Sequence, residues 1–192
     1  MSSSTPHMHL KFKICVSGAA ETSHCAPDVL DKAKELGREV VRRGAVLVTG
    51  ATTGAPFWAA IGAKEMGGFV IGMSPATSER EHIKKYKLPV DYHDIIVYTG
   101  FGYAGRNLLL TRTADAVLVA CGRMGTLNEF TIAFEDDKPI GVLLGTGGMA
   151  DEIQSLLEKA HRGTGRVVFD RDPGTLVDKV IALIREEKIS EG

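Results

Sequence analysis

Residues 105–135 read GRNLLLTRTADAVLVACGRMGTLNEFTIAFE, and the order of their parts decides the fold. Ala116–Ala120, AVLVA, is an apolar run with no polar alternation, which is what a strand covered on both faces requires. Cys121-Gly122-Arg123-Met124-Gly125 follows, and Thr126-Leu127-Asn128-Glu129 then opens a helical pattern. A strand, a glycine loop and a helix start make an anion site. The glycines let backbone N–H groups converge, and the helix N-terminus adds free donors and positive potential. The pattern is neither the dinucleotide fingerprint nor a P-loop, whose lysine is missing.

Working outward, Phe12–Ser17, Ala45–Thr49, Phe69–Met73, Ile95–Tyr98, Ile140–Leu144 and Arg166–Phe169 read as further strands. Helical patterns alternate with them at Asp28–Arg43, from Pro56 to about Met66, from the Arg106 region, over Thr126–Glu135, at Ala150–Arg162 and at Pro173–Glu187. Gly37, inside the first of these, predicts close packing against a neighbour. Residues 77–94 are the least regular stretch: a solvated surface, or a flexible flap lending Arg80 or a lysine to an anion. Strict alternation of strand and helix predicts an α/β fold with a mainly parallel sheet of about six to seven strands and helices on both faces. Right-handed crossovers bring equivalent strand ends to one edge, where ligands of such sheets bind. Gly18, Gly50–Gly54, Gly100–Gly105, Gly122–Gly125 and Gly145–Gly148 all fall at that edge, predicting a nucleotide-sized site.

Bulk properties narrow the class. Glycine makes up 22 of 192 residues, above the usual share of about 7%. Most of that excess sits where strands end. The formal net charge of −1 without a long basic stripe argues against a nucleic-acid partner. No apolar run approaches the ~18 residues of a membrane span. Residues 1–9 lack both parts of a signal peptide and read as a disordered tail, with no metal role expected for His7 and His9. Residues 10–192 are then expected to form a single domain. Cys15, Cys25 and Cys121 form no C-x-x-C and cannot all pair; Cys15 and Cys121 are expected as buried free thiols, fitting a cytoplasmic protein.

Two charged residues frame the central loop. Glu129, three residues after Thr126, reads either as half of a capping box or as a carboxylate at the mouth of a phosphate site. Arg106 follows a flexible glycine stretch, in what reads as a first helical turn, where a cation opposes the dipole. It is a surface arginine or the partner of an anion. Thr52 and Thr53, in the loop after the second strand, offer hydroxyls to a phosphate or ribose; a plain turn is the other reading.

Arg106, then the strand, then G-x-x-G-T-x-x-E resembles the Lonely Guy (LOG) family and its Rossmann-like relatives, long mislabelled as lysine decarboxylases. The hallmark of that family is P-G-G-x-G-T-x-x-E, preceded by an R-K pair. The resemblance spans roughly residues 12–169 and implies a Rossmann-like three-layer sandwich that binds a nucleotide. It implies cleavage of a nucleoside 5′-monophosphate to free base and ribose 5-phosphate, with Arg106 and Glu129 catalytic. Gly18, Gly50, Thr53, Gly54, Gly122, Arg123, Met124, Gly125 and Thr126 would bind the ligand, with no metal or other cofactor. A homo-oligomer, dimer or larger, is implied as well. Three positions depart from the hallmark: Cys121 stands for its proline, Arg123 for its second glycine and Asn107 for its lysine. These departures resemble a divergent branch that includes molybdenum-cofactor-carrier-like proteins, where a phosphorylated ligand is bound without turnover. Arg123 favours that alternative, since a long side chain there fills space a sugar needs or clamps an anion. A purely structural subunit leaves the glycine edge unexplained. A decarboxylase lacks an identifiable Schiff-base lysine.

Overall fold

The computed structural model describes residues 11–190, with side chains described through residue 186. The expected tail, with His7 and His9, lies outside the described residues. Seven strands alternate with seven helices: β1 (Lys13–Gly18), α1 (Val29–Arg42), β2 (Val46–Thr49), α2 (Ala55–Glu65), β3 (Val70–Ser74), α3 (Glu79–Lys84), β4 (Ile95–Tyr98), α4 (Gly102–Thr113), β5 (Ala116–Ala120), α5 (Met124–Glu135), β6 (Ile140–Leu143), α6 (Gly148–Ala160), β7 (Val167–Asp170) and α7 (Pro173–Ser190). All strands run parallel in the order β4-β3-β2-β1-β5-β6-β7. The result is a three-layer Rossmann-like α/β sandwich.

Side-chain alternation builds the layers. Ile14, Val16, Leu47 and Leu118 point to one face and pack with Leu36 and Val40 of α1, Ala59 and Ala63 of α2, and Leu176 and Val180 of α7. Cys15, Val48, Val117 and Val119 point to the other, against Leu110 of α4, Phe130 of α5 and Ile153 of α6. Burial of each such large side chain contributes roughly 1.5–3 kcal/mol, so the sheet centre, not the loops, carries the stability. Gly37 does mark a close approach: a Cβ there would lie 1.9 Å from the Ala59 carbonyl oxygen on α2, and one at Gly62 equally near that of Lys34 on α1.

Two local expectations are resolved. Across 77–94 Arg80, Lys84, Lys85 and Lys87 are exposed, as a solvated surface requires, and the stretch is also anchored. Ser78 caps α3 by accepting from the Glu81 N–H. The fully buried His82 is held through Nδ1 to Ser74 Oγ at 2.8 Å and through Nε2 to the Pro89 carbonyl at 2.9 Å. Secondly, α5 begins at Met124 with Arg123 at the N-cap, so Thr126 is its third residue and the T-x-x-E capping box does not form.

The strand order positions the site. The chain steps outward from β1 to β4 on one side, then returns through α4 to place β5 beside β1. The connections leaving β1 and β5 therefore diverge to opposite faces, α1 to one and α5 to the other. A crevice opens between them beyond the strand ends.

Candidate functional site

A cavity of ≈ 290 Å³ occupies that crevice. Ser17, Gly18 and the loop residues Ala19, Ala20 and Glu21 form one wall. Gly50, Thr52 and Pro56 form a second, Tyr103, Arg106, Asn107 and Leu110 of α4 a third, and Arg123, Gly125, Thr126 and Glu129 the last.

Arg106 and Glu129 meet at its floor. Arg106 lies in the second turn of α4, not the first, and is not a surface residue: it is 5% exposed, and Glu129 6%. Nη1 of Arg106 donates to Glu129 Oε1 at 3.3 Å, and Ser17 Oγ donates to the other carboxylate oxygen. The Asn107 amide, oriented so that its nitrogen faces acceptors, donates to Glu129 Oε1 at 2.8 Å and to the Tyr103 carbonyl at 3.0 Å. Burial pushes the Glu129 carboxyl above its ordinary range, while Arg106 and the Ser17 hydroxyl pull it back. Among the described residues, nothing accepts from Arg106 Nε, which is buried. Gly50 makes room for this guanidinium, because a Cβ there would lie 2.0 Å from Nη1.

Other sequence-predicted residues divide. Gly18, Gly50, Arg123, Gly125 and Thr126 line the cavity with Arg106 and Glu129. Gly125 is open, with no atom within 4 Å of an added Cβ, and the first N–H groups of α5 have no intrahelical acceptor. Thr53, Gly54, Gly122 and Met124 do not line it. Thr53 Oγ1 donates to the Ala20 carbonyl at 3.0 Å, and Gly54, at φ +69°, lets Ala55 N–H donate to the Ala19 carbonyl at 2.9 Å. Both hold the β1–α1 loop that forms the wall. Gly122 turns its carbonyl to the Met149 N–H at 3.0 Å, and Met124 is 71% exposed. The Gly145–Gly148 loop buttresses the site from behind, with Thr146 Oγ1 accepting from the Cys121 N–H at 2.8 Å.

Cys121 is not a free thiol. It is bonded to Cys25, 96 residues away, with the two Cα atoms 5.8 Å apart; Cys15 stays free and buried. The bond ties the β1–α1 loop to the anion loop. Arg123 crosses the same seam: its Nη2 pairs with Glu21, and its Nε donates to His24 Nδ1 at 3.3 Å. Sequence reasoning missed Ser17, Tyr103 and Glu21. A hydroxyl one residue before the end of β1, at the switch in strand order, was the available signal for Ser17.

The arrangement can hold an anion with a planar or sugar moiety attached. Gly125 and Thr126 at the start of α5, Arg106 and the buried Glu129 carboxyl line it together, and the half-exposed Tyr103 sets its ring against the Arg106 guanidinium, 5.9 Å from the centroid.

Comparison with known proteins fits this geometry. The family model described as SLOG cluster4 matches residues 11–177. An uncharacterized protein of Archaeoglobus fulgidus is 31% identical over 131 residues, covering 68% of this chain and 79% of its own. The solved structure of a molybdenum cofactor binding protein from Rippkaea orientalis is 28% identical, with TM-score 0.72, covering 93% of this chain and 98% of that one. The molybdenum cofactor carrier protein of Chlamydomonas reinhardtii is also 28% identical, with TM-score 0.71, covering 92% and 99%.

Proposed function

Because the chain belongs to the SLOG cluster4 family, we propose that its cleft binds a phosphorylated small ligand, a nucleotide or a phosphorylated pterin-type cofactor, and holds it without altering it. One observation carries this reading: Arg106, buried and with Nε unpartnered among the described residues, lines the same cavity as Gly125 and Thr126 at the start of α5. A buried unsatisfied donor costs about 1–3 kcal/mol, and an anion that draws the guanidinium towards the cleft offsets that cost. The phosphate lies on the N–H groups at Gly125 and Thr126 with Arg106 completing its shell. Tyr103 stacks on the heterocycle. Arg123 closes over the rim. The relatives named for binding or carrying the molybdenum cofactor support the choice of ligand class.

A second reading is favoured by Glu129. A carboxyl pushed up by burial and aimed into a sugar-sized cavity suits N-glycoside hydrolysis, as the LOG resemblance implies. There Glu129 orients water or a ribose hydroxyl and stabilises an oxocarbenium-like transition state, and Arg106 holds the phosphate.

One experiment separates them. The pure protein is incubated with a panel of nucleoside 5′-monophosphates, binding is followed by thermal shift and base release by chromatography, with Glu129→Ala alongside. Stabilisation without base release supports the binding reading. Base release that disappears in Glu129→Ala replaces it with the hydrolase. No shift and no release with any phosphorylated ligand, inorganic phosphate included, overturns both.

A further inference from the structure

We propose that His24, Cys25 and Cys121 form a binding site for a thiophilic closed-shell cation, represented by Zn²⁺, when the Cys25–Cys121 bond is reduced. The three residues run from the exposed His24 through the partly buried Cys25 to the fully buried Cys121, and none of them lines the cavity. Their ligand atoms all fall within 4.8 Å of one another.

The distances already suit the cation. Tetrahedral Zn²⁺ with Zn–S of about 2.3 Å and Zn–N of about 2.05 Å separates nitrogen from sulfur by about 3.6 Å, and sulfur from sulfur by about 3.8 Å. His24 Nε2 lies 3.6 Å from Cys121 Sγ and 3.9 Å from Cys25 Sγ. Only the sulfur–sulfur distance must open, and with the Cα atoms 5.8 Å apart side-chain rotation supplies that change.

The backbone holds both cysteines independently of their bond. Cys25 bridges to Gly147, and Ala26 N–H donates to the Thr146 carbonyl at 3.0 Å. Cys121 N–H donates to Thr146 Oγ1, and its carbonyl accepts from Ala150 N–H at 2.9 Å. Reduction therefore leaves two thiols facing each other on a fixed frame.

The surrounding charges fit as well. Metal at Nε2 requires a proton on Nδ1, which then turns from the Arg123 N–H groups that now donate to it towards Glu21 Oε2, 3.8 Å away. Closing that gap completes the carboxylate–histidine–metal chain which orients such ligands. Arg123 remains paired to Glu21. Two thiolates and one divalent cation sum to zero, so Arg123 faces no added charge. The fourth position falls to the Gly122 carbonyl, 3.4 Å from Nε2, or to water.

The steps balance. A dithiol supplies two electrons and two protons to Cys25–Cys121 and becomes a disulfide. Zn²⁺ then displaces the two thiol protons into solvent and accepts the Nε2 lone pair. In a reducing compartment the thiols are the resting state, and cysteine sets there more commonly serve metals than cross-links.

The test uses the full chain carrying His7→Ala and His9→Ala, which removes the tail imidazoles. A phosphine reductant opens the disulfide without itself competing for zinc; it takes oxygen from water and leaves as the phosphine oxide. Zn²⁺ is titrated against a chromophoric chelator. One Zn²⁺ per reduced chain and none per oxidised chain is the expected result. Alkylation of Cys25, the partly exposed thiol, reports the same site in the folded protein: Zn²⁺ protects it and a chelator reverses the protection, while the fully buried Cys15 and Cys121 do not react in either state. Glu21→Ala weakens zinc binding about tenfold, His24→Ala weakens it further, and Cys25→Ser/Cys121→Ser abolishes it. His24 is exposed, so its alanine variant keeps the fold and both thiols. Failure of the reduced protein to take up stoichiometric Zn²⁺ overturns the proposal. So does equal uptake by the double serine variant.

Discussion

Arg106–Glu129 and Arg43–Asp178 are the same chemistry in two surroundings. At the C-cap of α1, Arg43 is saturated: Nε and Nη2 reach the two Asp178 oxygens at 2.6 Å each, Nη2 also reaches the Gly174 carbonyl, and Nη1 pairs with Glu39. Asp178 is 65% exposed. In the cleft, Arg106 makes one 3.3 Å contact to a carboxylate, both side chains are over nine-tenths buried, and Nε has no acceptor among the described residues. A cation placed for stability fills its shell with protein groups. One buried with a donor left over carries a cost that a ligand can remove. On the proposed reading, the contrast separates a structural arginine from one set to bind.

The contrast breaks first at Arg106 itself. Arg106→Met leaves the Glu129 carboxyl buried without its cation, which should cost about 3–5 kcal/mol and lower Tm by roughly 10 °C. Arg106→Met/Glu129→Leu should recover most of that loss, since apolar side chains replace a buried pair at little cost. Phosphate-ligand binding should stay lost in both. Thermal melts within ~1 °C of wild type for the single variant would mean that the pair is not electrostatically coupled, and the distinction from Arg43 would fall.

A gentler probe moves the guanidinium without deleting it. In Gly50→Ala the new methyl meets only the tip of Arg106, at 2.0 Å from Nη1. The side chain can yield, so Tm should change by no more than a few degrees. Affinity for a phosphorylated ligand should drop about tenfold, the worth of one charge-assisted hydrogen bond. Gly37→Ala should do the reverse. Its methyl meets the Ala59 backbone oxygen at 1.9 Å, so stability should fall by about 1–3 kcal/mol with affinity unchanged. Isothermal titration and melting curves on the two variants, side by side, show which glycine serves the cleft and which the fold.

The sheet was legible because its strands are apolar on both faces. β4 and β5 occupy the residues expected from sequence, Ile95–Tyr98 and Ala116–Ala120. The start of α5 was displaced by two residues, because Thr126 looks like an N-cap while the chain places Arg123 there without a side-chain cap. Arg106 and Glu129 were recognisable as charges beside a glycine loop. That they pair with each other was not, since they sit 23 residues apart on different helices. Least legible was Cys25–Cys121. The two loops meet only because β5 returns to lie beside β1, and no local pattern carries that information.

The two kinds of carboxylate also titrate with opposite signs. Burial raises Glu129 above its ordinary value of 4.5. The folded state thus binds its proton more tightly than the unfolded chain does. The stability this contributes is present below pH 4.5 and is lost as pH rises through the folded value. The partly exposed Glu81 is held down to about 2, chiefly by Lys85 and then by Thr77. Its contribution is present above pH 4.5 and is lost as pH falls towards 2. A carbon-detected NMR titration of glutamate carboxyls should show one midpoint above 4.5 that vanishes in Glu129→Gln, and one near 2 that vanishes in Glu81→Gln. A Glu129 midpoint at or below 4.5 would mean that Arg106 outweighs burial, and the cleft carboxylate would then behave like the surface ones.

The smallest effect belongs to the saturated pair. Asp178→Asn removes the charge from a group 65% exposed while keeping its shape, and Arg43 retains Glu39 and the Gly174 carbonyl as acceptors. Solvent and salt screen the lost attraction, so the change should lie within about 0.2–1 kcal/mol, at most a few degrees in Tm. Raising ionic strength should shrink the difference further, because an exposed pair is screened and a buried one is not. Melting wild type, Asp178→Asn and Arg106→Met at low and high salt tests this directly. The Asp178→Asn deficit should fade with salt while the Arg106→Met deficit persists. If the two deficits respond alike, burial is not what distinguishes the pairs, and the unpartnered Nε of Arg106 loses its claim to be waiting for a ligand.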